Sequence, residues 1–317
     1  MIAPGGGNTS RHLGPYAMVE LSMESKQESK LILVTGGAGF IGSHLCERLV
    51  RDGHRVISLD NYFTGSRENH VPGVEYREGH TKDIEALVPE SPDIIFHLGE
   101  YSRVAKSLEE PGLVFDLNIK GTCGVLEFWR KKGSKLVYAG SSTKFAGTRT
   151  DGVEGRDLSP YTWGKAANSE LVHNYGRWYS LPYSIAYFYN VYGPGERAGV
   201  DAYGTVVETF IQNARAGQPL EVRSPGTQTR AFTHVDDTVE GLVLIAEKGG
   251  PDEYAISAAE TFSLLQLAEM IGGEVIMLPA TPSTRSSSAE DTSKLQALGW
   301  RQARTLPEYI TAMKSVV

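Results

Sequence analysis

Residues 31–45 read Leu-Ile-Leu-Val-Thr-Gly-Gly-Ala-Gly-Phe-Ile-Gly-Ser-His-Leu, an apolar run followed by glycines 36, 39 and 42 at G-x-x-G-x-x-G spacing. A pyrophosphate has to approach the backbone of such a turn closely, so Cβ atoms are excluded there and the N–H groups opening the next helix face the anion. Helical periodicity resumes at Phe40, Ile41, Leu45, Leu49 and Val50, and Gly53 can end that helix. Residues 55–60, Arg-Val-Ile-Ser-Leu-Asp, then form a second strand that closes on an acid. Strand, glycine turn, helix, strand and acid make one βαβ nucleotide-binding unit.

Asp60 fixes the choice of dinucleotide. A carboxylate at the end of the second strand accepts hydrogen bonds from the adenosine ribose hydroxyls and repels a 2′-phosphate, so NAD is favoured over NADP. Arg67 is the one nearby residue that could receive a 2′-phosphate, and its position in a loop fits a surface arginine better.

The chain has 317 residues, 40% apolar and 22% charged, with a net charge of −7. That is the composition of a globular chain with one large core and room for a smaller second lobe. The acidic balance disfavours nucleic acid or an acidic membrane as partner, and Arg130-Lys131-Lys132 suits the C-terminus of a helix. Cys46 and Cys123 read as packed, reduced thiols of a cytoplasmic protein, with no metal site. No stretch reaches the ~18 apolar residues of a membrane span. Residues 1–29 are Gly- and Ser-rich without an apolar stretch and read as a disordered tail, with Met23 as an alternative start.

Apolar runs at 74–76, 94–97, 136–139 and 184–188 alternate with helical segments near 84–88, 113–132 and 166–179, the pattern of a doubly wound parallel sheet. Pro111 and Gly133 mark the start and end of the long helix. Beyond about residue 190 the elements shorten and loops such as Gly193-Pro194-Gly195 intervene. The expected organisation is a Rossmann domain over 30–190 and a smaller C-terminal α+β lobe over 191–317, with elements around 228–258 returning to the sheet.

The catalytic signal is Tyr161-Thr162-Trp163-Gly164-Lys165, preceded by Gly140-Ser141-Ser142-Thr143. Residues four apart share a helix face, so Tyr161 and Lys165 can address one ligand. A free phenol, with a pKa of about 10, is a poor base at neutral pH, but an adjacent ammonium and a cationic nicotinamide favour its ionised form. Tyr161 is then a proton carrier, Lys165 also holds the nicotinamide ribose, and Ser142, at a strand end, hydrogen-bonds the hydroxyl being oxidised.

These stretches resemble the extended short-chain dehydrogenase/reductase proteins, specifically the nucleotide-sugar epimerases and dehydratases of the UDP-glucose 4-epimerase type. The resemblance spans 31 to about 300 and rests on TGGAGFIGSHL (35–45), LDNYFTGSREN (59–69), FHL (96–98), SLEEP (107–111), NIKGT (118–122), SPYTWGKAANSELV (159–172), NVYGPGE (190–196), TRAFTHVDD (229–237) and DTSKLQALGW (291–300). It implies Gly36, Gly39, Phe40, Ile41 and Gly42 as the pyrophosphate turn, and Asp60 and Asn61 as adenosine contacts. Thr81, Leu98 and Asn118 join the NAD site, with Ser142, Tyr161 and Lys165 as the catalytic residues. Asn190, Arg230 and Arg285 fall where such proteins grip the substrate diphosphate, which suits amide and guanidinium donors.

Several positions depart from the pattern. Dehydratases carry an Asp-Glu pair after the catalytic Ser or Thr, whereas Thr143-Lys144 stands here, which disfavours dehydration and decarboxylation. His80 occupies the place of an adenine-contacting Asp, leaving that contact to Asp83 or to backbone groups. Tyr187 stands where many relatives have an arginine, and Gly99-Glu100 replaces a pair of small residues. A carboxylate there costs several kcal/mol unless paired or solvated, so Glu100 is expected to meet Arg103, Lys144 or a substrate hydroxyl, or else to turn into solvent.

The reading is an NAD-dependent nucleotide-sugar 4-epimerase, a homodimer pairing the helices 113–129 and 159–179. The alternatives are a 4-dehydrogenase or reductase with exchangeable NAD(H), a 4,6-dehydratase, and a non-catalytic dinucleotide-binding scaffold.

Overall fold

The structure, a computed structural model, describes residues 28–145, 159–196, 205–280 and 291–314. The first half alternates strand and helix: β1 (Leu31–Thr35), α1 (Phe40–Arg51), β2 (Arg55–Asp60), β3 (Val74–Glu78), α2 (Ile84–Leu87), β4 (Ile94–His97), α3 (Pro111–Val114), α4 (Gly121–Lys132), β5 (Lys135–Ser141), α5 (Pro160–Tyr179) and β6 (Tyr183–Phe188). The second half holds β7 (Val191–Tyr192), α6 (Val206–Arg215), β8 (Leu220–Arg223), β9 (Thr229–Ala231), β10 (Thr233–His234), α7 (Val235–Lys248), β11 (Glu253–Ile256), β12 (Thr261–Ser263), α8 (Leu264–Ile271), β13 (Val275–Leu278), α9 (Ser293–Ala297) and α10 (Leu306–Lys314).

Seven strands form one parallel sheet in the order β11-β6-β5-β4-β1-β2-β3. Its strands read as unbroken apolar runs because both faces are covered. Ile32, Val34, Val56, Phe96 and Val137 pack with α1 and α7 on one side. Leu33, Ile57, Ile95, Leu136 and Ile185 pack with α4 and α5 on the other. Successive side chains of a strand point to opposite faces, so each neighbour in sequence enters a different core.

The chain winds from β1 outward through β2 and β3, then returns to place β4 on the other side of β1. At that reversal the connections diverge and leave a crevice beyond the strand C-termini, the usual ligand position in such sheets. The loops after β1, β4 and β5 all open there.

The long helix expected over 113–132 is one helical run with a widened turn: α3 starts on Pro111, residues 115–120 are π-helical, and α4 ends at Gly133 with φ 70°. The widened turn buries Leu117 and Asn118 without breaking the run. Past residue 190, three two-stranded sheets and short helices enclose a separate small core around Phe210, Leu220, Val222, Leu267 and Ile310. β11 rejoins the main sheet beside β6.

Cys46 is buried as expected, and burial pushes its thiol up to about 12. Cys123 is exposed, contrary to expectation. On α4 the inward face is taken by Thr122, Val125, Leu126 and Trp129, which leaves position 123 on the outer side. Among the described residues no helix is long and apolar enough to cross a membrane, and no group of three or more His, Cys, Asp or Glu side chains is placed to hold a metal ion.

Candidate active site

The glycine turn lies between β1 and α1, pressed against the loop that leaves β4. Gly36 has φ 76°, and a Cβ there would stand 2.8 Å from the Gly99 Cα. The turn must be Cβ-free both to fold and to admit a ligand at van der Waals range. Gly36, Gly39, Phe40, Ile41 and Gly42 all line one side of a cavity of about 620 Å³.

Asp60 sits at the adjacent end of β2, 6% exposed, and accepts hydrogen bonds from the backbone N–H of Ala38 (2.9 Å) and of Tyr62 (2.8 Å). Burial lifts its carboxyl above the usual aspartate range against those two bonds. Asp60 and Asn61 face the cavity. Arg67 is pinned elsewhere, with its guanidinium 4.7 Å over the Tyr62 ring and 2.6 Å from Glu78 Oε2. A Cβ-free phosphate turn beside a buried carboxylate at the end of β2 fits NAD without a 2′-phosphate.

At the other end of the cavity, Ser142 follows β5, and Tyr161 and Lys165 project from the first turns of α5. Ser159 caps that helix by accepting from Thr162 N–H (3.1 Å), and Pro160 occupies its first turn, which fixes where Tyr161 points. Tyr161 is 7% exposed, and its backbone N–H donates to Ser107 Oγ (3.4 Å).

Lys165 carries a second set of contacts. Its ammonium donates to Glu100 and to the Ala139 carbonyl (2.7 Å), and lies 5.0 Å over the Tyr138 ring. Glu100 therefore pairs with Lys165 rather than with Arg103, and it does not turn into solvent: its side chain is 1% exposed. The Lys144 side chain lies outside the described residues. Glu100 is held by four donors, namely Lys165, Thr122 Oγ1 (2.9 Å), Tyr138 Oη (3.2 Å) and Asn168 Nδ2 (2.8 Å). Burial works to raise its carboxyl, yet the Lys165 ammonium together with these bonds holds it below the usual glutamate range.

Behind Glu100 the network continues through His97. Strand register sets Thr35 beside His97 and His97 beside Tyr138, so three parallel strands place one polar row under the cavity. Thr122 must donate to Glu100, because a carboxylate only accepts; His97 Nε2 then donates to Thr122 Oγ1 (3.0 Å). His97 Nδ1 in turn accepts from Thr35 Oγ1 (2.7 Å), which itself accepts from Gly99 N–H (3.0 Å). One tautomer satisfies every member. Burial pulls His97 down to about 4 and so keeps it neutral.

The remaining expected site residues are spread more widely. Leu98 and Asn190 line the cavity; Asn190, at φ 40°, ties its amide to the Ala231 carbonyl (2.8 Å). Asn118 lies behind the wall, where its amide clamps both backbone groups of Tyr101 (2.6 and 3.1 Å). Thr81 is buried under α4, whose Gly124 approaches so closely that a Cβ would stand 2.7 Å from Lys82 Cα. His80 caps that turn, accepting from Lys82 N–H (3.0 Å), with its Nε2 3.3 Å from Asp116; neither His80 nor Asp83 lines the cavity. Arg230 sits on β9 outside the lining, and Arg285 lies outside the described residues. Tyr187 donates to Glu253 (2.8 Å) across the sheet.

A crevice with a phosphate turn along one wall and a phenol and ammonium at its far end places the chain among the short-chain, nicotinamide-dependent α/β proteins. Comparison narrows this: the model of the NAD dependent epimerase/dehydratase family matches residues 32–257, and the chain belongs to that family, with NAD as its cofactor. UDP-glucuronic acid decarboxylase 6 of Arabidopsis thaliana is 31% identical over 91% of this chain and 89% of its own length. A putative UDP-glucose 4-epimerase of Methanocaldococcus jannaschii is 30% identical, covering 88% of this chain and 96% of its own. The solved UDP-glucose 4-epimerase of Thermus thermophilus in complex with NAD superposes with a TM-score of 0.79 at 29% identity, over 90% of this chain and 100% of that one.

Sequence reasoning missed Glu196, Thr205 and the Thr35–His97–Thr122–Asn168 network. Glu196 lines the cavity, accepts from Thr205 Oγ1 (2.8 Å), and is lifted by burial to about 7. Asn168, three residues after Lys165 and so on its helix face, was the one local signal available.

Proposed function

We propose that the chain is an NAD-dependent nucleotide-sugar 4-epimerase, inverting C4 through a transient 4-keto sugar. What carries this reading is that Ser142, Tyr161 and Lys165 open on the NAD crevice while Thr143 occupies the position of an elimination acid. Thr143 is buried and donates to Ser141 Oγ (3.0 Å), so it supplies no acid to the sugar. Among the described residues, the carboxylates lining the cavity are Asp60 on the adenosine side, Glu100 in its ion pair, and Glu196 held by Thr205.

Bound NAD supplies a reversible hydride acceptor. Tyr161 takes the proton from the sugar 4-hydroxyl and returns it to the same oxygen; inversion comes from the keto sugar turning between the two steps, so that the opposite face of C4 is the one reduced. Ser142 hydrogen-bonds the same oxygen, and Lys165 supports Tyr161 and the adjoining ribose. Asn190, which lines the cavity, holds the diphosphate as a pivot, with Arg230 reaching in from its place on β9 beyond the lining. Similarity to proteins whose names specify UDP-glucose 4-epimerase supports the reading, while similarity to a decarboxylase supplies its main competitor.

The deciding experiment denatures the purified protein, identifies the released dinucleotide by mass spectrometry, and screens nucleotide sugars by NMR. C4 inversion without steady change at 340 nm is expected. Release of carbon dioxide, a 4-keto-6-deoxy product, or steady NADH formation overturns the assignment.

The active form is proposed to be a homodimer. Phe115 and Trp163 form an exposed edge-on pair 5.8 Å apart, and Trp178 and Tyr179 extend exposed aromatic surface along α5. This surface lies on the two helices expected to pair between copies.

A further inference from the structure

The Glu100–Lys165 contact leaves the charge beside the nicotinamide unlike that of a lone lysine. The two side chains are 1% and 6% exposed, so water does little to screen either. In the buried cluster that they form with His97 and Tyr138, burial keeps His97 uncharged, and burial together with Glu100 raises the Tyr138 phenol well above its ordinary value. The cluster therefore carries one positive and one negative charge in contact and sums to zero.

The four donors to Glu100 all come from the chain itself: Thr122, Tyr138, Lys165 and Asn168. It is a group fixed in place rather than one waiting for a substrate. A glutamine could not replace it cleanly. With its oxygen toward Thr122, Tyr138 and Asn168, its NH₂ would oppose the Lys165 ammonium; turned over, it would strand the other three donors.

We propose that Glu100 is a positioning residue that acts electrostatically, holding Lys165 against Ala139 and cancelling its charge, so that the pocket retains oxidised nicotinamide in preference to reduced. The inference rests on the reading that Lys165 supports the nicotinamide ribose. The oxidised ring is cationic and the reduced ring neutral, so an uncompensated ammonium nearby disfavours the oxidised form alone. An epimerase that must begin each cycle with NAD gains from that cancellation.

The test equilibrates the full-length protein by long dialysis with an equal mixture of NAD and NADH, removes free ligand, denatures the protein, and measures the bound ratio by chromatography. Glu100→Gln raises the bound NADH:NAD ratio about tenfold or more over the unaltered protein, as expected for one unit charge acting at short range in a poorly screened site. The double variant Glu100→Gln/Lys165→Met removes both charges and returns the ratio to within about twofold of the original, even where total occupancy falls. If Glu100→Gln does not fold, Glu100→Asp draws the charge back by one methylene and moves the ratio the same way by about twofold to threefold. A loss of packing would weaken both dinucleotides together, so an unchanged ratio in whichever single variant folds overturns the proposal. The readout is independent of turnover: C4 inversion with an unchanged ratio removes this inference alone, and a shifted ratio without inversion removes the epimerase reading alone.

Discussion

Replacing Thr122 with valine tests the polar row beneath the cavity at its junction. Valine matches threonine in shape but deletes the hydroxyl that donates to Glu100 (2.9 Å) and accepts from His97 Nε2 (3.0 Å) and Asn168 Nδ2 (3.2 Å). Glu100 keeps three donors, and losing a hydrogen bond to a charged group costs about 1.5–3 kcal/mol. His97 is fully buried, so its Nε2–H is stranded against a methyl group at a further ~1–3 kcal/mol. Shifting the proton to Nδ1 only moves the problem, because the Thr35 hydroxyl hydrogen would then lose its acceptor. The two losses share one centre and are not additive, so the expected destabilisation is about 3–5 kcal/mol. At about 2 °C for each kcal/mol in a chain of this size, Thr122→Val lowers Tm by ~6–10 °C. Thr122→Ser keeps the hydroxyl and loses one methyl, costing about 1 kcal/mol. Thermal melts followed by circular dichroism separate the two. If valine and serine cost the same, or valine costs less than about 1 kcal/mol, the assigned proton arrangement is wrong.

Tyr161→Phe removes the proton carrier while leaving the glycine turn and Asp60 intact, so kcat falls by about 10³-fold or more and mass spectrometry still finds NAD in the purified protein; near-normal turnover would exclude the role. For Glu196, the folded value of about 7 lies above the ordinary 4.5, so the stability it contributes is full below about 4.5 and is lost as pH rises to about 7. Glu196→Gln removes that loss: relative to the unaltered chain it gains on the order of 3 kcal/mol at pH 8 and nothing at pH 4, and a pH-independent difference in melts would refute the assignment. Gly36→Ala forces a Cβ to within 2.8 Å of Gly99 Cα at φ 76°, and is expected to yield protein without bound NAD, read from the absorbance ratio at 260 and 280 nm. Phe115→Glu with Trp163→Glu places charge on the exposed aromatic pair and should halve the mass seen by light scattering if the surface joins two copies; a monomeric unaltered protein sinks that idea.

The sequence alone determined what local chemistry can express. The glycine turn, the acid closing β2, Pro111 and Gly133 at the ends of the long helical run, and Tyr161 one helical turn from Lys165 were all legible, because each depends on neighbours within a few residues. The alternation of apolar runs and helices settled the parallel sheet, since only strands covered on both faces read that way. Glu100 could be flagged as out of place, but its partners could not be named. They come from α4, β5 and α5, and they meet because parallel register aligns Thr35, His97 and Tyr138 across strands that lie 62 and 41 residues apart in the chain. For the same reason the packing of Thr81 and Asn118, expected at the NAD site, was not legible: Thr81 is buried under α4 close to Gly124, and the Asn118 amide binds the Tyr101 backbone. Periodicity and turn chemistry act over one or two turns of chain, whereas the balance of charge around Lys165 is set by groups that only the folded sheet brings together.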